Sequence, residues 1–359
     1  ITAMTNTRKI FFILVVAALV LGAIPATIAQ DRAPIERACL ITDVGRVNDG
    51  TFNEYAYNGL VAVAEDYDLD TTFIETQSET DYDANIATCV EEGYEVIVTV
   101  GFLIQDATVK AAEANPNIFF IGVDQDASWL ENAPTNFVGV QFREDQAGFL
   151  VGALAALVAE YVDGDTIAGV YGIDVPAVKR FRNGFEQGAR YINPDLNILG
   201  KYETSFIDPA LGASTARQFV GENAVVIFGA GGPTGSGAIA EAAKQGVFVI
   251  GVDQDEYFTT FGEGETEGAE FIISSAMKRV DQGVYDMIAV LAEGDFEAFP
   301  GGTNYLLDAV LEGVGFAPKH DADLPDELYA QVEEILELLI AGEIETGVDP
   351  VSGDMLETE

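Results

Sequence analysis

Phe119-Phe-Ile-Gly-Val-Asp-Gln-Asp126 recurs 129 residues later as Phe248-Val-Ile-Gly-Val-Asp-Gln-Asp255. Each copy opens on an apolar run of the kind that forms a buried parallel strand and ends on polar residues that begin a turn. At the same spacing Val96-Ile-Val-Thr-Val-Gly101 falls on Val225-Val-Ile-Phe-Gly-Ala230, and Phe52 falls on Phe181. A single matching octamer carries little weight. Three matches at one spacing, in equivalent strand and helix positions, describe two related lobes.

Working outward, strands are expected at 38–43, 71–76, 95–100, 118–123 and near 137–141, then near 166–171, 196–202, 225–229, 247–252 and 270–275. Helices are expected at 52–67, 82–93, 104–114, 145–161, 175–192, 211–220, 234–246 and 276–293. This alternation builds parallel sheets. The expected fold class is α/β, two Rossmann-like lobes joined by a hinge. Lobe 1 is assigned 36–140 plus about 254–300, and lobe 2 is assigned 141–253 plus about 301–343. Hinges are then expected near Val140–Gln141, near Val252–Asp253 and near 300–305. Acidic Asp255–Gly268 reads as a surface loop, Asp326–Ala341 as a closing helix, and 344–359 as a mobile acidic tail.

Residues 1–30 have the layout of a secretory signal peptide: basic Arg8 and Lys9, an apolar run from Ile10 to Ile24, then small residues around Ala26 and Ala29. The alternative is a membrane anchor, but the run is short for a spanning helix, which needs about 20 residues. The chain is expected to be exported, to the periplasm or the outer face of the cell membrane. The net charge is −43, and −45 without residues 1–30, which carry two basic and no acidic residues. Such a surface repels nucleic acid and anionic lipid, and it suits a protein kept soluble at high salt. Cys39 and Cys89 are the two cysteines. In an exported protein a disulfide between them is expected, with two separate buried thiols as the alternative. The single histidine, His320, leaves little scope for Ser–His or Cys–His catalysis, and no ligand cluster for a metal surrounds either cysteine.

Asp43-Val-Gly-Arg-Val-Asn-Asp-Gly-Thr-Phe-Asn53 joins the first strand to the first helix. In open α/β sheets, ligands bind at that carboxyl end. Asp43, Asn48, Asp49 and Asn53 offer polar contacts and Phe52 a flat apolar face, although Asp, Asn and Gly are also ordinary turn formers. Two lobes facing each other would add Gly101-Phe102 and Asp124 from the same side, and loops of the second lobe opposite. Gly229-Ala-Gly-Gly-Pro-Thr-Gly-Ser-Gly237 follows a strand and opens a helix, so a ligand could approach backbone amides there. Thr234 stands where the third glycine of the dinucleotide fingerprint belongs, which weakens a nicotinamide reading. Lys278 sits at the end of a strand in a chain with only 17 basic residues, and is a candidate ligand contact.

Together these pieces resemble the basic membrane protein family of substrate-binding proteins, whose members include purine nucleoside receptors of ABC importers. The matching residues are Asp43-x-Gly45-x-x-Asn48-Asp-x-x-Phe52-Asn53, Val100-Gly-Phe102, Gly122-Val-Asp124, Gln146-Ala-Gly-Phe-Leu-Val-Gly152 and Pro176-Ala-Val-x-x-Phe181-x-x-Gly-Phe185. Further along come Ser205-Phe-x-Asp-Pro209 with Gly212, Gly232-x-x-Gly-x-Gly237, Gly251-Val-Asp253 and Met277-Lys-Arg-Val-Asp281. They run in family order over 38–343. The resemblance implies a type I periplasmic-binding-protein fold that closes on a nucleoside, acts as a monomer with ABC permease subunits, and needs no cofactor or catalytic group. One aromatic ring from each lobe would sandwich the base: Phe52, and either Phe206 or its rival Phe181. Asp43, Asp253 and Lys278 match the positions that hold ribose hydroxyls, and Asn53 and Asp124 lie where the family touches ligand. Many members carry a cysteine at the signal cleavage site and this chain does not, a departure that bears on anchoring rather than on binding. The alternatives are a receptor for another small polar molecule such as a sugar, a ligand sensor, or a nicotinamide-dependent enzyme.

Overall fold

Short runs rich in Val, Ile and Phe, most of them followed by a run at helical spacing, fold into two six-stranded sheets in the computed structural model, which describes residues 32–357. The first half supplies β1 (Arg37–Val44), α1 (Phe52–Tyr67), β2 (Asp70–Thr76), α2 (Tyr82–Glu91), β3 (Val96–Val100), α3 (Gln105–Ala114), β4 (Phe119–Val123) and β5 (Phe137–Phe142). The second half follows with α4 (Glu144–Tyr161), β6 (Thr166–Tyr171), α5 (Pro176–Ile192), β7 (Asn197–Tyr202), α6 (Pro209–Gly221), β8 (Val226–Ala230), α7 (Gly232–Lys244), β9 (Phe248–Asp253) and β10 (Ile272–Lys278). The chain ends with α8 (Val280–Ala292), β11 (Asn304–Leu307), β12 (Val314–Phe316) and α9 (Asp326–Ile340). Strand order is β11-β5-β4-β3-β1-β2 in the first lobe and β12-β10-β9-β8-β6-β7 in the second. Every strand pair is parallel except β10 with β12. Central β3 and β8 are buried along their whole length, which is why their sequences read as unbroken apolar runs.

The observed sheets redraw the expected lobe boundaries. β10 belongs to the second sheet and β11 to the first, whereas 254–300 was expected in lobe 1 and about 301–343 in lobe 2. The chain changes lobes at Arg143, at Arg279 and within 308–313. The first crossing falls within a few residues of expectation. The second lies well beyond Val252–Asp253, because the chain runs from β9 to β10 without an intervening α-helix and the sequence of β10 does not mark which sheet it joins. The three crossings run side by side: the Arg143 amide donates to the Leu307 carbonyl (3.0 Å) and the Arg279 amide to the Gly313 carbonyl (2.8 Å).

Residues Glu144–Ala159 of α4 are all buried, shut in by α5, α9, β10 and β12. Gly148 and Gly152 meet the backbone of Phe181 and Phe185, while Gly184 and Gly188 meet the backbone of Asp145 and Phe149. Any side chain at these four positions would collide with main chain, so α4 and α5 touch backbone to backbone. Cys39 of β1 and Cys89 of α2 form a disulfide inside a buried apolar cluster, which closes a loop spanning 50 residues. The expected mobile tail is instead packed: Thr346 Oγ1 donates to Asp145 (2.5 Å), and Asn183 Nδ2 to the Gly353 carbonyl (2.5 Å). Its acidity misled, because Asp354 is the partner of Lys179 (3.0 Å) and Asp349 caps its own turn. The expected signal peptide, 1–30, lies outside the described residues.

Candidate functional site

The carboxyl ends of both sheets line one cavity between the lobes. Its wall takes Asp43, Phe52, Asn53, Phe102 and Asp124 from the first lobe, and Phe181, Phe206, Gly232, Asp253 and Lys278 from the second. Of the eleven residues expected from sequence, ten meet here. Asn48 does not: it is exposed and lines the outer mouth of the cleft, because the β1–α1 loop turns it outward. Apolar Val175, Ala177, Val178 and Ile207 complete the second lobe's face; Ala177 and Val178 lie in the Pro176-Ala-Val motif, but none of the four was singled out as a wall residue from sequence.

The β1–α1 loop divides its labour. Asp49 accepts from the backbone amides of Thr51 (3.0 Å), Asn53 (3.2 Å) and Glu54 (3.1 Å), and so caps the start of α1 rather than facing a ligand. That cap, and the hydrogen bond from Asn53 Nδ2 to Asp49 (3.0 Å), set Phe52 half-buried on the cavity wall. Asp43 takes the Tyr82 hydroxyl (2.5 Å) and the Val44 amide (2.7 Å) on Oδ1. Its Oδ2 lies over Gly101, whose φ of +99° and lack of a side chain leave room for it. Burial pushes the Asp43 carboxyl up to about 6.

Lys278 is the centre of charge. It is 1% exposed, and Nζ reaches Asp124 of the opposite lobe at 2.7 Å and Glu144 at 2.8 Å. The Phe52, Phe142 and Phe181 rings surround the ammonium at 4.9, 5.0 and 5.9 Å. Burial works against its charge, but the two carboxylates outweigh burial and hold its pKa above the ordinary lysine value. Burial likewise opposes ionisation of Glu144, yet Arg180 and Lys278 pull its pKa below the usual range. Asp253 is different. It is buried, and among the described residues no donor reaches its carboxylate; burial pushes it up to about 8. Asp124 Oδ1 is also buried without a partner among the described residues. Both aspartates end strands in the left-handed conformation, φ +60° and +66°, which Asp tolerates better than most residues.

Glu144 and Arg180 were not singled out from sequence. One pattern could have drawn notice to Glu144, though not to Arg180: Arg143-Glu-Asp-Gln146 and Arg279-Val-Asp-Gln282 mark the first two lobe crossings. At each, the arginine grips the aspartate two residues on through two hydrogen bonds of 2.7–2.9 Å. The only histidine sits elsewhere, paired with Asp255 (2.6 Å) and stacked on Tyr257.

The two Phe candidates for the second ring differ. Phe181 is 4% exposed and packs edge-on to Phe228. Phe206 is half-buried on the cavity wall, against Gly172.

Two like lobes closing on a cavity of aromatic faces and unpaired acceptors define a solute-binding protein. Residues 37–349 match the family described as ABC transporter substrate-binding protein, PnrA-like, and the chain belongs to that family. Basic membrane protein A1 of Borrelia garinii is 31% identical, over 86% of this chain and 88% of its own. A Lactococcus lactis protein named ABC transporter nucleoside-binding protein BmpA is 29% identical, over 74% of this chain and 77% of its own. A crystal structure of an ABC transporter solute-binding protein from Aeropyrum pernix covers 87% of this chain and 93% of its own, with a TM-score of 0.74 at 27% identity. Among the described residues no helix is long and apolar enough to cross a membrane.

Proposed function

We propose that the chain is an exported receptor that binds a purine nucleoside between its lobes and delivers it to an ABC permease. The observation that carries this is the pairing, on one cavity wall, of ring faces from both lobes with a buried carboxylate, Asp253, that no donor among the described residues satisfies. Rings accept a base of any kind by stacking, and ionised carboxylates accept from the vicinal hydroxyls of ribose. Exclusion of water on closure strengthens those bonds. The Thr259 hydroxyl donates to the Gly50 carbonyl across the mouth (2.9 Å), a contact that an open form would lack. The nucleoside-binding relative from Lactococcus supports the same ligand class. Three aspartates, Asp43, Asp124 and Asp253, face the cavity against one lysine, an arrangement that disfavours a phosphorylated ligand.

Calorimetric titration with adenosine, guanosine, inosine, uridine, free adenine, adenosine monophosphate and D-arabinose tests the reading. Purine nucleosides are expected to bind, with the monophosphate and the free base weaker by at least about tenfold. Binding of D-arabinose in preference to every nucleoside would replace the ligand class while keeping the cleft.

A further inference from the structure

Behind the cavity wall, Lys278 ends a chain of buried charges that begins in the C-terminal segment. Glu144 gives one oxygen to Lys278 (2.8 Å) and the other to Arg180 Nε (2.5 Å). Arg180 is 1% exposed, and its remaining nitrogens reach Gln141 Oε1 (3.3 Å) and the carbonyls of Pro350 (3.3 Å) and Val351 (3.0 Å). Those two carbonyls sit at the tip of a closed turn. Val348 bridges Met355 in antiparallel fashion, the Asp349 amide donates to the Asp354 carbonyl (2.8 Å), and the Gly353 amide to the Asp349 carbonyl (2.9 Å). The turn is fastened to α5 and to the start of α4 by Lys179, Asn183 and Asp145.

We propose that the segment 344–357 is a brace for the ligand site, and that Arg180 is a positioning residue that acts through Glu144 on Lys278. This rests on the reading of the interlobe cavity as the ligand site. The physical argument is satisfaction of buried charge. Deprived of the two carbonyls, Nη1 of Arg180 would be a buried charged donor without an acceptor, a costly state. The guanidinium then swings to find one, or water enters. Either change frees Glu144, and Lys278 follows the carboxylate that holds it. Nothing in the segment touches the cavity, so ligand contact cannot account for any effect it has on affinity.

Gly353 is the lever. Its φ is +77°, and a Cβ there would lie 2.7 Å from the Pro176 carbonyl oxygen and 2.9 Å from the Arg180 amide, both main chain. Gly353→Val therefore lifts the turn off α5 without altering any charge. Arg180→Lys keeps a cation beside Glu144 but cannot reach Pro350 and Val351 at the same time. Leu356→Ala, at an exposed position of the same segment, is the control.

All three are made in the full chain, and two quantities are read. The first is the ammonium proton–nitrogen resonance of Lys278 in unliganded, lysine-labelled protein, assigned by its loss in Lys278→Arg. The second is nucleoside affinity by calorimetry. Gly353→Val and Arg180→Lys are expected to shift or broaden the ammonium resonance and to weaken binding about tenfold, while Leu356→Ala leaves both unchanged. Wild-type resonance and affinity in both variants, whatever happens to Tm, would overturn the proposal by reducing the segment to a structural clasp. If Gly353→Val fails to fold, Arg180→Lys carries the test alone. If the wild-type protein binds no nucleoside, the proposed ligand fails, and the resonance still decides the brace.

Discussion

The two copies of Ile-Gly-Val-Asp-Gln-Asp end their strands with the same backbone but not with the same bonds. In the first lobe Asp124 is paired with Lys278, and Gln125 Nε2 donates to the Thr99 and Gly101 carbonyls (both 3.2 Å). Asp126 there takes Asn304 (2.6 Å) and the Ser128 amide (2.7 Å). In the second lobe Asp253 has no donor, Gln254 Nε2 is buried without a partner among the described residues, and Asp255 takes His320. Both copies keep buried atoms without a partner among the described residues, Asp124 Oδ1 and Gln125 Oε1 in the first and Gln254 Nε2 in the second, but only Asp253 has a carboxylate that none of those residues reaches with a donor. Duplication supplied two equivalent aspartates, and a single lysine satisfies one of them. The unequal pairing leaves the second carboxylate without a donor among the described residues.

The largest break of this asymmetry is removal of the lysine. Lys278 is 1% exposed and pairs with two carboxylates, so its loss reaches the fold as well as the candidate site. Lys278→Met, which keeps the volume, strands Asp124 in the interior, leaves Glu144 with Arg180 alone, and is expected to cost about 3–5 kcal/mol of stability. Chemical denaturation measures it, and a loss under about 1 kcal/mol would mean that the two carboxylates are already solvated.

Next in size is the exchange of each aspartate for its amide. Asp253→Asn removes an acceptor that no described residue uses, so the unliganded fold should be unharmed while nucleoside affinity drops. A charged hydrogen bond is worth roughly 1.5–3 kcal/mol, which corresponds to about 10- to 150-fold. Asp124→Asn should do the reverse, with a clear loss of stability from the weakened Lys278 pair. Equal profiles for the two variants, in denaturation and in titration, would abolish the distinction between the turns.

The rings extend the comparison between lobes. Phe52 and Phe206 are both half-buried on the wall, whereas Phe181 is built into the core beside Phe228. Phe206→Ala is expected to weaken base binding by about 1–3 kcal/mol with little change in Tm. Phe181→Ala is expected to cost about 3–5 kcal/mol of stability. Thermal melts paired with calorimetry separate them. Loss of affinity on Phe181→Ala alone, at unchanged Tm, would make Phe181 the stacking ring, as the 129-residue echo suggested.

Much of this was legible in the chain. Strand and helix positions follow from periodicity, because parallel strands buried on both faces must be apolar throughout, and the repeated octamer placed Asp124 and Asp253 at equivalent strand ends. Of the ten cavity residues, those of the β1–α1 loop left local marks of turn chemistry and ring face, whereas Phe206 and the ribose roles of Asp43, Asp253 and Lys278 came from the family resemblance. What local pattern cannot encode is which sheet a helix docks on, so the crossing at Arg279 was displaced and β10 was assigned to the wrong lobe. Nor does composition reveal that Pro350 and Val351 lend carbonyls to Arg180, since main-chain acceptors have no sequence signature. Asn48 failed for a related reason: in a loop of polar turn formers, sequence does not say which side chain points inward.

The smallest expected effect is also the most specific to the difference between the two aspartates. Burial pushes Asp253 up to about 8, so at pH 7 the unliganded fold holds a proton that the unfolded chain, ionised above about 4, does not. The folded state therefore binds more protons than the unfolded one, and the contribution of this group to stability falls as pH rises from about 4 through about 8. Asp43 and Glu256, pushed up by burial to about 6 and about 7, act in the same direction at lower pH. A ligand whose hydroxyls donate to the ionised Asp253 carboxylate must displace that proton. Binding at pH 7 is thus expected to release protons, and affinity to rise by up to about tenfold per pH unit between 6 and 8, then level off. Calorimetry in two buffers of different ionisation enthalpy counts the protons. Asp253→Asn should abolish the release, and Asp124→Asn should keep it. Zero release in the wild-type protein would mean that Asp253 meets the ligand as a neutral acid and donates to it, which reverses the hydrogen bond on which the ribose assignment depends.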